Sequence, residues 1–234
     1  MSKMHRFVSA PPETAFAPIY DYSIYESFAK NIDFNNLKEI ILEKELELIE
    51  KYPAEKVTIQ GHVTDGGTKL GVDSMTARYV HYNLLQWDID EIVKLTEQIK
   101  INYLDLLNYH RIPRRKVWIN SWANVMRKGE KIATHLHSID KYTYVGGHVT
   151  VACDGSSTFY INPVDQINCI DVYESKNEVG KITLFSSSVP HYTSMVEGNE
   201  ERITIAFDIF VDEWVSLTND RFRSKLVLLD DPSV

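Results

Sequence analysis

Val117-Trp118-Ile119-Asn120-Ser121-Trp122-Ala123-Asn124-Val125-Met126 is where the residue pattern of this chain changes for good. Before it, apolar residues recur at helical spacing. After it they fall into short β-rich runs, at 117–119, 122–125, 132–137, 144–151, 158–161, 182–185, 192–196 and 203–211. Turn residues part these runs at Gly129, Gly146-Gly147, Asp154-Gly155, Gly180, residues 187–190 and Gly198-Asn199. Short strands in this succession predict an all-β sandwich or a jelly-roll barrel.

Upstream, the pattern predicts two helices. From Phe34, Leu37, Ile40, Ile41 and Leu48 share one face, and Pro53 stops the run. A second helix spans about 89–109, with Ile92, Leu95, Ile99 and Leu106 as its stripe and Asp88 or Asp90 as its cap. An early strand is expected around 16–20. Residues 57–86 are irregular and turn-rich, which suits a binding loop or lid as well as a plain surface loop. The expected organisation is one α+β domain: a helical and loop region at 1–115, a β core at 116–215 and a C-terminal tail at 216–234.

Composition narrows the function. With 234 residues the chain can bury a sizeable core, and its net charge of −8 disfavours a general nucleic-acid or anionic-membrane binder. The basic run Arg111-Ile112-Pro113-Arg114-Arg115-Lys116 reads as a solvated loop. Two cysteines, Cys153 and Cys169, form neither a disulfide framework nor a zinc ribbon, so a reducing, cytoplasmic setting is expected. No apolar run is long enough to span a bilayer, and the N-terminus does not read as a secretory signal.

The chemistry concentrates on Thr134-His135-Leu136-His137-Ser138. On a strand, side chains two apart point the same way, so His135 and His137 offer two legs of a metal site. His191, just after the turn Ser186-Ser187-Ser188-Val189-Pro190, is the candidate third leg. Strands far apart in sequence meet across the mouth of a jelly roll, and three protein ligands leave coordination positions open. His5, His62, His81, His110 and His148 have no such partner and read as structural or surface residues. In Glu201-Arg202-Ile203-Thr204-Ile205-Ala206-Phe207, Arg202 and Thr204 share a face opposite Ile203 and Ile205. Turned inward, they make a carboxylate clamp; turned outward, Arg202 pairs with Glu197, Glu200 or Glu201. The period alone leaves both options open. Asn124, alternating with Ala123 and Val125, is either a donor to a bound acid or a cross-strand amide.

Taken together, Ser121-Trp122-Ala123-Asn124-Val125-Met126-Arg127-Lys128-Gly129-Glu130, the His135-x-His137 pair, residues 180–187 with His191, and Arg202-Ile203-Thr204-Ile205-Ala206-Phe207-Asp208 resemble the 2-oxoglutarate/Fe(II)-dependent oxygenases of bacteria and tailed phages. Ala17-Pro18-Ile19-Tyr20, Asp65-Gly66-Gly67-Thr68 and Tyr82-Asn83-Leu84-Leu85-Gln86-Trp87 extend the resemblance toward the N-terminus. The resemblance implies a double-stranded β-helix. It implies Fe(II) held by His135, His137 and His191, and 2-oxoglutarate held by Arg202 with Thr204 and Asn124 beside it. It implies a reaction that consumes 2-oxoglutarate and dioxygen, releases succinate and carbon dioxide, and hydroxylates a substrate. Most of the wider superfamily carries a carboxylate where His137 stands, and Asp140 is an alternative ligand if the strand ends early.

Three readings compete: the 2-oxoglutarate hydroxylase, a three-histidine cupin-type enzyme without 2-oxoglutarate, and a non-catalytic jelly-roll binding module. Substrate contacts are sought in the loop at 65–71 and at Arg78, Tyr79 and Trp122. The substrate is a protein or peptide side chain, with proline as the leading analogy, or else a small molecule. Oligomeric state is not legible in the residues, a homodimer being one option.

Overall fold

The computed structural model describes residues 2–52, 57–59, 62–64, 68–153, 155–164 and 171–233, with the backbone alone described at 57–59 and 62–64. β1 (Lys3–Val8) and β2 (Asp21–Phe28) open the chain as an antiparallel pair. α1 (Phe34–Lys51) starts at Asp33, whose carboxylate accepts from the Asn35 and Asn36 amides. A short antiparallel pair, β3 (Val57–Ile59) and β4 (His62–Thr64), precedes the loop that leads to α2 (Asp90–His110). Ile89 occupies the cap position of α2 without a side-chain bond, so neither Asp88 nor Asp90 caps it as expected. Asp90 and Glu91 lie inside the first turn, where their charge complements the helix dipole.

The β core follows as β5 (Val117–Met126), β6 (Val145–Ala152), β7 (Ser157–Ile161), β8 (Val172–Lys176), β9 (Lys181–Ser186), β10 (His191–Thr193) and β11 (Arg202–Val211). Two one-turn helices, α3 (Asp212–Val215) and α4 (Asp220–Arg223), then lead to β12 (Val227–Asp230). A seven-stranded sheet runs in the order β1-β2-β9-β6-β11-β5-β12, and a three-stranded sheet runs β10-β7-β8. All pairings are antiparallel. This is the jelly-roll core with flanking helices that the sequence predicts.

The large sheet is buried on both faces, and the two faces differ. Val149, Ile182, Leu184, Ile203, Ile205, Phe207 and Ile209 join Leu37 and Ile41 of α1 and Ile92, Leu95 and Ile99 of α2 in one apolar core. The alternate residues of the same strands turn toward the small sheet and line a cavity there. Gly147 shows how tightly the layers meet: a Cβ there would lie 2.5 Å from the Phe207 ring and from the Thr183 carbonyl oxygen.

Four local expectations change. Residues 16–20 are a connection rather than a strand, because Pro11, Pro12 and Pro18 interrupt any ladder there; the strands lie on either side of it. The runs at 117–119 and 122–125 are one continuous strand. Residues 132–137 do not form a regular strand, because their main-chain partners are scattered. Ala133 donates to Thr68, His135 exchanges bonds with His191, and His137 donates to Ser187. The C-terminal segment is more than a tail: β12 pairs with β5, and buried Asp230 takes two bonds from the Arg114 guanidinium at 2.9 and 2.6 Å.

Candidate metal and cosubstrate site

The site lies between the two sheets. His191 opens β10 in the small sheet, and a single bridge brings His135 alongside it, with main-chain bonds of 3.0 and 2.9 Å. His137, two residues on, returns to the same cavity even though its segment is not a ladder strand. The potential ligand nitrogens of His135, His137 and His191 lie within 4.8 Å of one another. Three side chains from two distant segments of the chain therefore converge.

Each imidazole has its Nδ1 occupied by an acceptor: the Ala133 carbonyl at 2.9 Å for His135, Asp208 Oδ1 at 2.5 Å for His137, and the Val189 carbonyl at 3.0 Å for His191. An Nδ1–H held this way leaves the Nε2 lone pair for a metal. Burial, reinforced by the neighbouring His135 and His137, holds the His191 pKa well below its ordinary value, so its ring is neutral. Burial also opposes protonation of His137, but Asp208 outweighs it and raises that pKa. Three imidazole nitrogen donors gathered in one cluster suit a first-row divalent cation, so these residues fit Fe(II).

Arg202 faces the cavity. It is 1% exposed, one of its terminal nitrogens lies 3.1 Å from Thr158 Oγ1 on β7, and another lies 3.8 Å from the Met126 sulfur. The expectation left open by the period is thus decided: residues 202, 204, 206 and 208 face inward, while the apolar set packs on the helices. Thr204 and Asn124 are register partners in adjacent strands and line the same cavity, and Asn124 Oδ1 accepts from Thr76 at 2.7 Å. The cavity, about 130 Å³, also receives Tyr79 and Trp122, whose ring centroids are 5.5 Å apart.

Two expected residues lie elsewhere. Arg78 is buried but does not line the cavity. Its guanidinium donates to the main-chain carbonyls of Tyr52 at 3.1 Å, Ser74 at 2.9 Å and Val72, pinning the loop that carries Tyr79. Asp140 is exposed and accepts from the Tyr142 amide at 2.6 Å within its own turn, outside the histidine cluster. Of the expected loop at 65–71, residues 65–67 lie outside the described residues, and Thr68 lines the cavity.

Sequence reasoning missed Asp208 and His148. Asp208 continues the 202, 204, 206 alternation, a signal the pattern already contained. His148, expected to be structural or on the surface, lines the cavity on β6 with Nε2 2.7 Å from the Tyr160 hydroxyl. Burial, with help from Arg202 and His137, pushes its pKa down to about 3. The alternation of β6 could have placed it opposite Ala206, its register partner.

No curated protein matches the sequence. AviO1 from Streptomyces viridochromogenes Tue57 superposes with a TM-score of 0.52 at 10% identity, over 81% of this chain and 89% of that one, which shows a shared fold. A prolyl-4-hydroxylase from Pseudomonas putida gives a TM-score of 0.42 at 13% identity, over 54% and 67%. The viral collagen prolyl hydroxylase of Paramecium bursaria Chlorella virus-1, solved as its 2OG complex, gives 0.41 at 12%, over 53% and 76%. Residues 120–208 match the family model described as "Putative 2OG-Fe(II) oxygenase", a segment that runs from β5 to Asp208 and includes all three histidines and Arg202. Through that segment, well under half of the chain, the protein is similar to the 2OG-Fe(II) oxygenases.

Proposed function

We propose that this protein is a 2OG-Fe(II) oxygenase, a hydroxylase in which His135, His137 and His191 hold Fe(II) and Arg202 binds the distal carboxylate of 2-oxoglutarate. The observation that carries the reading is Arg202. A guanidinium 1% exposed, lining the same cavity as three converging imidazoles, sets a planar fork of donors beside the candidate ligands, and that fork matches a carboxylate of a dicarboxylic acid. Thr204 offers that carboxylate a second hydrogen bond, and Asn124 stands where an amide can orient the keto-acid end. When bound, Fe(II) would supply dioxygen activation, with dioxygen as the oxidant and 2-oxoglutarate as the co-reductant oxidised alongside the substrate. The chain itself contributes placement and an apolar setting. The rings of Trp122 and Phe185 lie beside His137, at 5.8 and 6.0 Å between centroids, and make its surroundings more apolar.

The substrate approaches through a second, larger cleft of about 540 Å³ that shares Tyr79, His137 and Asp208 with the inner cavity. Its outer wall carries Phe210, Trp214 and Phe222, packed together with Phe210 and Trp214 stacked at 4.3 Å. Aromatic walls of this kind seat the rings of an extended, proline-containing segment, which favours a protein or peptide substrate over a small molecule. Tyr79 lines both the cleft and the inner cavity, with Trp122 beside it in the inner cavity. Among the described residues no helix is long and apolar enough to cross a membrane, and a reducing cytoplasm would keep iron in the ferrous state.

An anaerobic titration tests the assignment. Adding Fe(II) and then 2-oxoglutarate should raise the weak visible charge-transfer band of the chelate, and Arg202→Ala should lose it. Iron binding with no response to 2-oxoglutarate would instead favour the three-histidine enzyme that does without it. Failure to bind iron would leave a binding module. For the substrate, succinate release should rise with proline-containing peptides, and Trp214→Ala should raise their KM.

A further inference from the structure

Three imidazoles are neutral ligands, so the set by itself gives a divalent ion no compensating negative charge. Asp208 Oδ1 lies 2.5 Å from His137 Nδ1, on the side of the ring away from a metal at Nε2. We propose that Asp208 is a positioning residue that supplies, through His137, the charge the ligand set lacks. This rests on the reading that His137 is a ligand. The carboxylate fixes the tautomer, with Nδ1–H toward Asp208 and Nε2 toward the metal, and it makes the ring a stronger donor.

Three further observations support the assignment. First, the three histidines are not treated alike. His135 and His191 present Nδ1 to main-chain carbonyls, which are dipoles, whereas the Nδ1 of His137 faces a full charge. Second, the charge of Asp208 is not spent elsewhere: among the described residues it pairs with no lysine or arginine, and its one ion-pair partner is His137. Third, the backbone makes room for the pair. Gly146 is the register partner of Asp208 in β6, and a Cβ at Gly146 would sit 3.2 Å from both Asp208 Oδ1 and His137 Nδ1. Glycine there lets the two groups meet without crowding. The aromatic surroundings of His137 lower the local dielectric and lengthen the reach of the carboxylate charge.

The test is Asp208→Asn, which keeps the size and an acceptor oxygen and removes the charge. Affinity for Fe(II) alone, measured anaerobically without 2-oxoglutarate, should weaken by about 10–100-fold. The melting temperature of the metal-free protein reports whether the variant is folded. In the wild type, side-chain nitrogen NMR of His137 should show the Nδ1–H tautomer, with its proton shifted far downfield, in both the metal-free and the Zn(II)-loaded protein. That signal is read even if the variant does not fold. Iron affinity within about twofold of wild type in folded Asp208→Asn, or an Nε2–H tautomer at His137, overturns the proposal. His135→Ala separates the failures. If it abolishes iron binding while Asp208→Asn does not, only the role of Asp208 falls. If it binds iron as the wild type does, the ligand assignment falls and the role of Asp208 falls with it.

Discussion

The two faces of β11 show how one strand can serve two ends. Arg202, Thr204, Ala206 and Asp208 turn toward the cavity, while Ile203, Ile205, Phe207 and Ile209 pack against the helices. Both faces are buried, so burial does not distinguish them. What does is the layer each one meets: apolar helix stripes on one side, and the small sheet with its histidines on the other. The inner face carries a buried guanidinium and a partly buried carboxylate–imidazole pair, and the outer face supplies the packing that tolerates them.

Mutations on each face should fail in different currencies. The largest effect is expected at the inner face: His191→Ala should reduce iron retention and succinate release to background, with the fold kept as judged by circular dichroism. Next comes Arg202→Met. Loss of the charged partner should weaken 2-oxoglutarate binding by roughly thirtyfold or more. The melting temperature should hold or rise, because replacing a buried charge with an apolar chain of similar volume removes a desolvation cost. A clear fall in melting temperature together with normal 2-oxoglutarate affinity would break the division between the faces.

On the outer face the order reverses. Ile205→Ala, at a fully buried position, should cost about 2–5 kcal/mol in urea unfolding and leave the KM for 2-oxoglutarate unchanged. A smaller effect is expected at the sheet edge, away from both faces. The Arg114 guanidinium, with a contribution from Lys100, holds the Asp230 carboxyl below its usual pKa. A depressed carboxylate gives stability that is complete above its unfolded pKa and is lost as pH falls through the folded value. Asp230→Asn should therefore lower stability near neutral pH by about 1–3 kcal/mol. The gap to wild type should close as the pH drops below about 4, where the unfolded carboxyl takes up its proton. A gap that stays constant down to acid would mean packing, not charge, sets the effect.

Much of the site was legible because strand periodicity is strict. The inward step from Arg202 to Thr204 follows from side chains alternating every second residue, and His135 and His137 reach the same cavity although their own segment is not a regular strand. Arg78 was misread because sequence cannot tell a guanidinium aimed at substrate from one that closes carbonyls in its own loop. Residues 132–137 were expected as a strand because the residues suit one, but their hydrogen-bond partners come from three separate places.

By itself, then, the order of residues determined the helical front, the run of short strands, the three candidate ligands and the candidate clamp, since each is written in a local period or a short spacing. Which face of β11 turns inward was decided by the tertiary structure, because apolar residues occupy the alternate positions and two buried faces give no contrast in burial. The same holds for Asp208 meeting His137 across Gly146: a contact between residues 71 positions apart depends on how the strands are registered, and register is set by the whole sheet.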